Sequence, residues 1–307
     1  MQKINKASNS QPSLTPRQRL RKLIDRKQAV IVPGVANALG ARLVEQAGFE
    51  ATYITGAGVT NSHLGMPDLA LLSPTELAET TARIADVCDL PLLVDIDTGF
   101  GNAVNVHRTI KLMERAGASA VQIEDQVFPK KCGHFDGKQV VPLPEMLGKL
   151  KSALDSRVDQ NLLVIARTDV AAVTSMDEAL ERSQAFIECG ADIVFVEAPR
   201  SRKDIQRIGA LKIPKVINIV IGGKTPMLSM SELNDLGFSI VLYANACLQI
   251  TISSIQELLN FLQSEGSLIG FEDRLASFDE RQVVLGMEKF SYMEKRYAEE
   301  GQTDAER

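Results

Sequence analysis

Short apolar, β-branched runs recur along the chain, and each is followed by a longer stretch in which hydrophobic residues return every three or four positions. Eight runs stand out: Ala29–Val32, Ala51–Ile54, Pro91–Val94, Ala120–Ile123, Leu162–Ala166, Asp192–Val196, Lys215–Ile219 and Ser239–Tyr243. Near-continuous apolar runs of this length predict strands buried on both faces, as in a parallel sheet with crossover helices. Between them, segments such as Asn37–Ala47, Pro74–Cys88, Asn105–Ala116, Pro144–Ser156 and Asp177–Cys189 carry the periodicity of amphipathic helices. Their ends are signalled as well. Ser73-Pro74-Thr75-Glu76 supplies an N-cap serine, a proline at the first helical position and a glutamate at N3, while Gly117, Gly190 and Gly237 stand where helices should stop. Eight units in unbroken rhythm predict an α/β protein with a closed (β/α)8 TIM barrel over residues 17–265, in preference to an open sheet.

The flanks differ from this pattern. Residues 1–16 form a polar N-terminal tail. After the eighth run, Ala246–Glu265 reads as one long helix, and Gly270–Glu300 adds more helical sequence than barrel closure requires. Residues 266–307 therefore read as a helical extension with a polar tail, predicted to pack against another subunit in a homo-oligomer.

A length of 307 residues suits one such barrel, which takes about 250 residues. With 45% hydrophobic and 24% charged residues the chain can build a core and is not a disordered one. The net charge of -5 is spread without a long block of one sign, which excludes general attraction to nucleic acid or anionic lipid. No run approaches the roughly 18 apolar residues of a membrane span, and the N-terminal segment lacks the apolar stretch of a secretory signal, so a cytoplasmic protein is expected. Cys88, Cys132, Cys189 and Cys247 form no CxxC pair, which argues against a zinc knuckle or a disulfide framework.

Chemistry collects at the strand ends, where a barrel of this kind places its active site. Strand three ends in Asp95-Ile96-Asp97, strand four in Glu124-Asp125, strand five in Arg167-Thr168-Asp169 and strand six in Glu197, while strand seven carries Asn218. Asp95 and Asp97, two apart on an extended chain, are expected to point the same way. With Glu124, and Asp68 from the loop after strand two, they make a hard oxygen site without histidine or thiolate, suited to Mg2+ or Mn2+. Arg167 offers a planar cationic fork for a carboxylate or phosphate. Thr55-Gly56-Ala57-Gly58 after strand two would let backbone N–H groups approach an anionic substrate. Lys130-Lys131-Cys132-Gly133-His134, after strand four, sets lysines and a histidine beside a thiol, a setting that favours the thiolate. Glycines at 133 and 137 would let that loop move as a lid.

Taken together, Tyr53-Ile54-Thr55-Gly56-Ala57-Gly58, Asp95-Ile96-Asp97-Thr98-Gly99-Phe100-Gly101, Ile123-Glu124-Asp125-Gln126 and Lys130-Lys131-Cys132-Gly133-His134 resemble the isocitrate lyase and phosphoenolpyruvate mutase superfamily, over about 33–265. The resemblance implies a Mg2+-dependent TIM barrel with a C-terminal helix exchanged between subunits and a tetrameric assembly, or a dimer. The loop resembles that of the lyase branch, which includes 2,3-dimethylmalate lyase, 2-methylisocitrate lyase and oxaloacetate hydrolase. It implies that Asp95 binds the metal while Asp68, Asp97 and Glu124 hold its waters. Tyr53, Thr55, Gly56 and Ala57 would contact the 2-oxo acid, Arg167 its carboxylate, and Cys132 would protonate the departing enolate. Gly133, Glu197 and Asn218 complete the expected substrate-binding set, and Lys130 and His134 accompany Cys132 as catalytic residues.

A retro-aldol cleavage needs a base for the 2-hydroxyl proton, an electrophile for the developing carbonyl and a proton donor for the carbanion-like fragment. Tyr53 is the first choice as base. The predicted function is cleavage of a small 2-hydroxy dicarboxylate, of the 2,3-dimethylmalate kind, to a 2-oxo acid such as pyruvate plus a carboxylate. 2-Methylisocitrate cleavage, oxaloacetate hydrolysis, carbon–phosphorus chemistry and a metabolite-binding barrel without turnover are the alternatives. Val220 and Ile221 stand where methylisocitrate lyases carry threonine and glutamate, which bears on tricarboxylate binding together with Leu248.

Overall fold

The structure, a computed structural model, describes residues 14–131, 133 and 137–305, with side chains through residue 298. Eight parallel strands close into a barrel in sequence order. They are β1 (Val30–Val35), β2 (Thr52–Ile54), β3 (Leu92–Asp95), β4 (Ala120–Glu124), β5 (Leu163–Thr168), β6 (Ile193–Val196), β7 (Lys215–Asn218) and β8 (Ile240–Tyr243). Closure is made by β1 against β8, with Val30 opposite Ile240 and Val32 opposite Leu242. The expected (β/α)8 barrel is therefore the fold, and each predicted run overlaps one strand, with β1 running on to Val35 and β5 to Thr168.

Its interior is filled by side chains including Val32, Leu93, Leu163, Ile165, Phe195 and Leu242. The helix Pro16–Asp25 belongs to the same core through Leu20, Leu23 and Ile24. Its first turn is fixed by a Thr15 and Gln18 capping box. The outer layer, with Ile84, Ile110, Met113, Met146 and Phe186, packs helices against the sheet. These side chains are almost wholly removed from water, which at about 25 cal/mol per Å2 makes them the main source of stability.

Local signals set the helix starts. The Ser73 hydroxyl accepts from Glu76 N at 3.3 Å while Glu76 Oε2 accepts from Ser73 N at 2.8 Å, as the capping sequence predicts. These hydrogen bonds hold the Glu76 carboxyl below the usual range. The helix expected from Asn105 begins at Ala103, because the Asn102 side chain accepts from Val104 N at 2.9 Å and caps it two residues earlier.

Strand three departs from expectation in a way that matters for chemistry. It ends at Asp95, and Asp97 lies in the left-handed region with φ 49°. The alternation of an extended chain therefore does not align the two carboxylates. A turn does so instead, with Asp97 N donating to Asp95 Oδ1 at 3.2 Å.

Beyond the barrel, the helix Ala246–Glu265 has no buried residue and is followed by helices Phe278–Leu285 and Met287–Ala305. The first of these two lies against the helix Ala38–Gln46, where Gln46 Nε2 donates to Val284 O at 3.2 Å. No helix among the described residues is long and apolar enough to cross a membrane.

Candidate active site

The C-terminal ends of the strands bring the acidic residues together as expected. Asp95 ends β3 opposite Gln122 of β4, and Gln122 Nε2 donates to Asp95 Oδ1 at 3.3 Å. Glu124 ends β4 opposite Arg167 of β5, and Arg167 Nε lies 3.2 Å from Glu124 Oε2. Asp68 arrives from the loop after β2, and Lys130 Nζ joins it to the cluster, 2.6 Å from Asp68 Oδ1 and 2.9 Å from Asp97 Oδ1. All four carboxylates are buried.

Crowding shows in their acidities. Burial, with Asp95 and Asp68 nearby, pushes the Asp97 carboxyl up to about 7 against the pull of Lys130. Burial also drives Glu124 well above the carboxylate range, although Arg167 opposes it. Burial disfavours the Lys130 ammonium, but Asp97, Glu124, Asp68 and Asp95 outweigh it and hold the group charged. Glu124 Oε1 and Gln122 Oε1 accept no hydrogen bond among the described residues. Unpaired buried acceptors in a negative cluster are the mark of a place for a further cation.

Among the described residues no three His, Cys, Asp or Glu side chains converge on one ion. The donor set of Asp95, Asp97, Glu124 and Asp68 is all carboxylate oxygen, which fits a hard cation such as Mg2+.

Opposite the carboxylates, Arg167 is fixed from two sides. Asp169 accepts from its Nε at 2.8 Å and from its Nη2 at 3.1 Å, and Phe195 stacks under the guanidinium at 5.3 Å. Glu197 Oε2 lies 3.7 Å from Nε. Gly133 packs between them: a Cβ there would sit 2.5 Å from Arg167 Nη2 and 2.7 Å from Glu197 Oε1. Gly56 is equally confined, since a Cβ would meet Asp97 Oδ1 at 3.1 Å and Asp95 Oδ2 at 3.3 Å. Thr55 accepts from Gly58 N at 3.2 Å and donates to Asn245 Oδ1 at 3.3 Å.

These residues surround a cavity of ≈ 30 Å3, also lined by Ala57, Asn218, Leu242 and Ala244. That is room for about two waters. A larger depression of ≈ 650 Å3 beside Leu14, Arg19 and Leu90 lies near the N-terminal ends of β2 and β3, away from the carboxylates. Asp95, Asp68, Lys130 and Arg167 line the smaller one. Tyr53 is buried there, and burial and Asp95 raise its phenol well above the ordinary value.

The geometry thus gathers Asp95, Asp97, Glu124, Asp68, Lys130, Tyr53, Thr55, Gly56, Ala57, Gly133, Arg167, Glu197 and Asn218 around one space. Cys132 and His134 lie outside the described residues. Neither Val220 nor Ile221 lines the cavity, and Leu248 lines a separate groove beside Gly34 and Cys247. Asn245 and Phe195 were not predicted from sequence, and Asp169 was marked at the end of strand five without a role.

A barrel with this acid cluster and arginine is one of a recognised kind, and the family profile of phosphoenolpyruvate phosphomutase matches residues 20–262. The chain belongs to that family. Within it, the chain is 40% identical over 282 residues to 2,3-dimethylmalate lyase of Eubacterium barkeri, covering 91% of this chain and 97% of that protein. It is also 40% identical over 281 residues to 2-methylisocitrate lyase of Aeropyrum pernix, covering 91% and 89%. Its fold matches a phosphonopyruvate hydrolase solved with oxalate and Mg++, with a TM-score of 0.85, 32% identity and coverage of 93% and 100%. Lyases are thus among its relatives by sequence, and the expected superfamily is confirmed.

Proposed function

We propose that the chain is a Mg2+-dependent carbon–carbon lyase that cleaves a 2-hydroxy dicarboxylate such as 2,3-dimethylmalate to pyruvate and propanoate. The observation that carries this reading is the gathering of buried carboxylates and one fixed guanidinium at a single small cavity. Likeness to a 2,3-dimethylmalate lyase over nearly the whole of both chains supports it.

Asp95 would hold Mg2+ (or Mn2+) directly, with Asp97, Glu124 and Asp68 holding its waters. Bound there, the ion supplies positive charge that polarises the oxygen on C2. Arg167 takes the C1 carboxylate through its free edge, since Asp169 and Glu124 fix the remainder of the fork. Thr55, Gly56 and Ala57 close around the 2-oxo acid portion. Glu197, Asn218 and Gly133 bound the other side.

In the reaction the C2–C3 bond breaks, the C2 hydroxyl loses its proton and becomes the pyruvate carbonyl, and C3 gains a proton to give propanoate. Burial keeps the Tyr53 phenol neutral, which suits it to donate a hydrogen bond to the substrate. The hydroxyl proton goes to the carboxylate cluster, where Glu124 stands against Arg167 at 3.2 Å. Cys132, with Lys130 and His134 as neighbours in the chain, supplies the proton to C3. Lys130 also neutralises Asp68 and Asp97.

2-Methylisocitrate is the second reading, favoured by equal identity to a lyase for it. Among the described residues lining the cavity, Lys130 and Arg167 are the only cations and both are already engaged, while Leu242, Ala244 and Phe195 are apolar. That lining favours an alkyl group over a third carboxylate. The C-terminal helices expose Ile250, Ile255, Leu259 and Phe290, a surface suited to burial against other subunits in a homo-oligomer with exchanged helices, a tetramer or dimer.

The test is a panel of 2,3-dimethylmalate, 2-methylisocitrate, oxaloacetate and phosphonopyruvate with Mg2+, read by 2-oxo acid formation, oxalate formation and 31P resonance. Fastest turnover of the dimethylmalate supports the proposal; turnover confined to phosphonopyruvate overturns it.

A further inference from the structure

We propose that Lys138 is a positioning residue for this site, tying the backbone at Gly133 to the Asp169–Arg167 pair; this rests on the lyase reading above. Its side chain is 2% exposed and Asp169's is 0%. Lys138 Nζ donates to Gly133 O and lies 2.6 Å from Asp169 Oδ1. The same Asp169 Oδ1 accepts from Arg167 Nη2 at 3.1 Å, so one oxygen is shared by the two cations. Gly133 in turn packs on that Nη2 so closely that no Cβ fits. One ammonium therefore fixes both the backbone next to Cys132 in the chain and the carboxylate that aims Arg167.

The anchors behind this arrangement are rigid. Asp169 N donates to Asp125 Oδ1 at 2.9 Å, and Asp125 Oδ2 accepts from Thr168 Oγ1 at 2.7 Å and from Arg182 Nη1 at 3.1 Å. On the other side, Val127 N donates to Gln139 O at 2.9 Å and Gln126 pairs with Val140, so the backbone that carries Lys138 is held against β4's continuation. A buried lysine is a poor way to stabilise a fold, because well-packed apolar residues often replace buried ion pairs without loss. Its place between a loop carbonyl and the partner of Arg167 points to orientation of the reacting groups.

The roles of the two partners separate kinetically. Without Lys138, Asp169 still holds Arg167 through two hydrogen bonds, so substrate binding persists while the segment carrying Cys132 loses its tie. Lys138→Met is expected to lower kcat by about 30-fold or more with KM within about threefold, since a misplacement of roughly 1 Å can cost 10²-fold. Lys138→Gln, which keeps a donor for Gly133 O, should fall between, and it serves should the methionine variant not fold. Lys138→Arg should recover most of kcat. Asp169→Asn loosens both ties and should raise KM as well as lower kcat.

A second measurement needs no substrate: trypsin cleavage after Lys131, mapped by mass spectrometry, should be about tenfold faster in Lys138→Met than in wild type. Wild-type kcat in folded Lys138→Met or Lys138→Gln overturns the inference. If the wild type turns over none of the panel, the lyase reading fails and the cleavage comparison decides: faster cleavage upholds the tie and an equal rate overturns it.

Discussion

Glu124 and Arg167 are register partners on neighbouring strands, and their side chains meet at 3.2 Å inside the barrel mouth. The pairing holds an arginine against an acid cluster without cancelling it, because Asp169 takes the same guanidinium from behind. On the proposed reading the cluster keeps the negative charge that would draw a cation, and the guanidinium keeps an edge for substrate.

Arg167→Lys should lower kcat/KM by about 100-fold while leaving the fold intact. A lysine cannot span Glu124, Asp169 and a substrate carboxylate as a planar fork does, and a charged hydrogen bond contributes about 1.5–3 kcal/mol. Steady-state pyruvate release and a thermal melt check the two halves of this expectation.

Gly133→Ala should abolish turnover in a folded protein. The added methyl would stand 2.5 Å from Arg167 Nη2, so either the guanidinium or the chain beside Cys132 must shift. Kinetics with circular dichroism provide the check, and an alanine variant of wild-type activity would contradict the packing.

Removing the ammonium in Lys130→Met leaves Asp68 and Asp97 buried without their partner. The loss of stability is expected to be about 3–5 kcal/mol, the usual result of breaking one side of a buried ion pair. Urea unfolding in the absence of metal measures it, and unchanged stability would show that Lys130 is not their counter-charge.

Asp95→Asn should remove the Mg2+-dependent rise in melting temperature along with activity. Ligand binding stabilises the folded state by mass action, so the melt reports the ion independently of turnover. A variant that keeps the full Mg2+ shift would place the ion elsewhere.

Much of this site could be read from the chain because a barrel puts its chemistry where apolar runs give way to charge. Asp95, Glu124, Arg167, Glu197 and Asn218 all stand at such points. Asp97 could be named but not placed, since its left-handed backbone depends on a turn that the strand periodicity does not reveal. The pairing of Lys138 with Asp169 escaped, although Asp169 stands at a marked strand end, because it joins residues 31 apart and nothing local to either points to the other. The Pro16–Asp25 helix escaped for a related reason: its three buried residues sit among five charged ones, and only the barrel core they enter explains them. Val220 and Ile221 stand out by comparison, and neither is among the described residues that line the cavity.

In solution the exposed apolar face of Ala246–Glu265 should hold subunits together. Ile255→Glu with Leu259→Glu should shift the light-scattering mass downward from that of the wild type; a wild-type mass of one chain would remove the interface.

Carbon–carbon cleavage by this cluster with a thiol donor is tested most directly by following pyruvate release from 2,3-dimethylmalate with saturating Mg2+, comparing wild type with Cys132→Ser. The expected result is steady release by the wild type and a fall of about 10²–10⁴-fold in the folded variant, the range for loss of a general acid. Equal release by the two proteins would contradict it, as would a wild type that yields no 2-oxo acid from 2,3-dimethylmalate or 2-methylisocitrate.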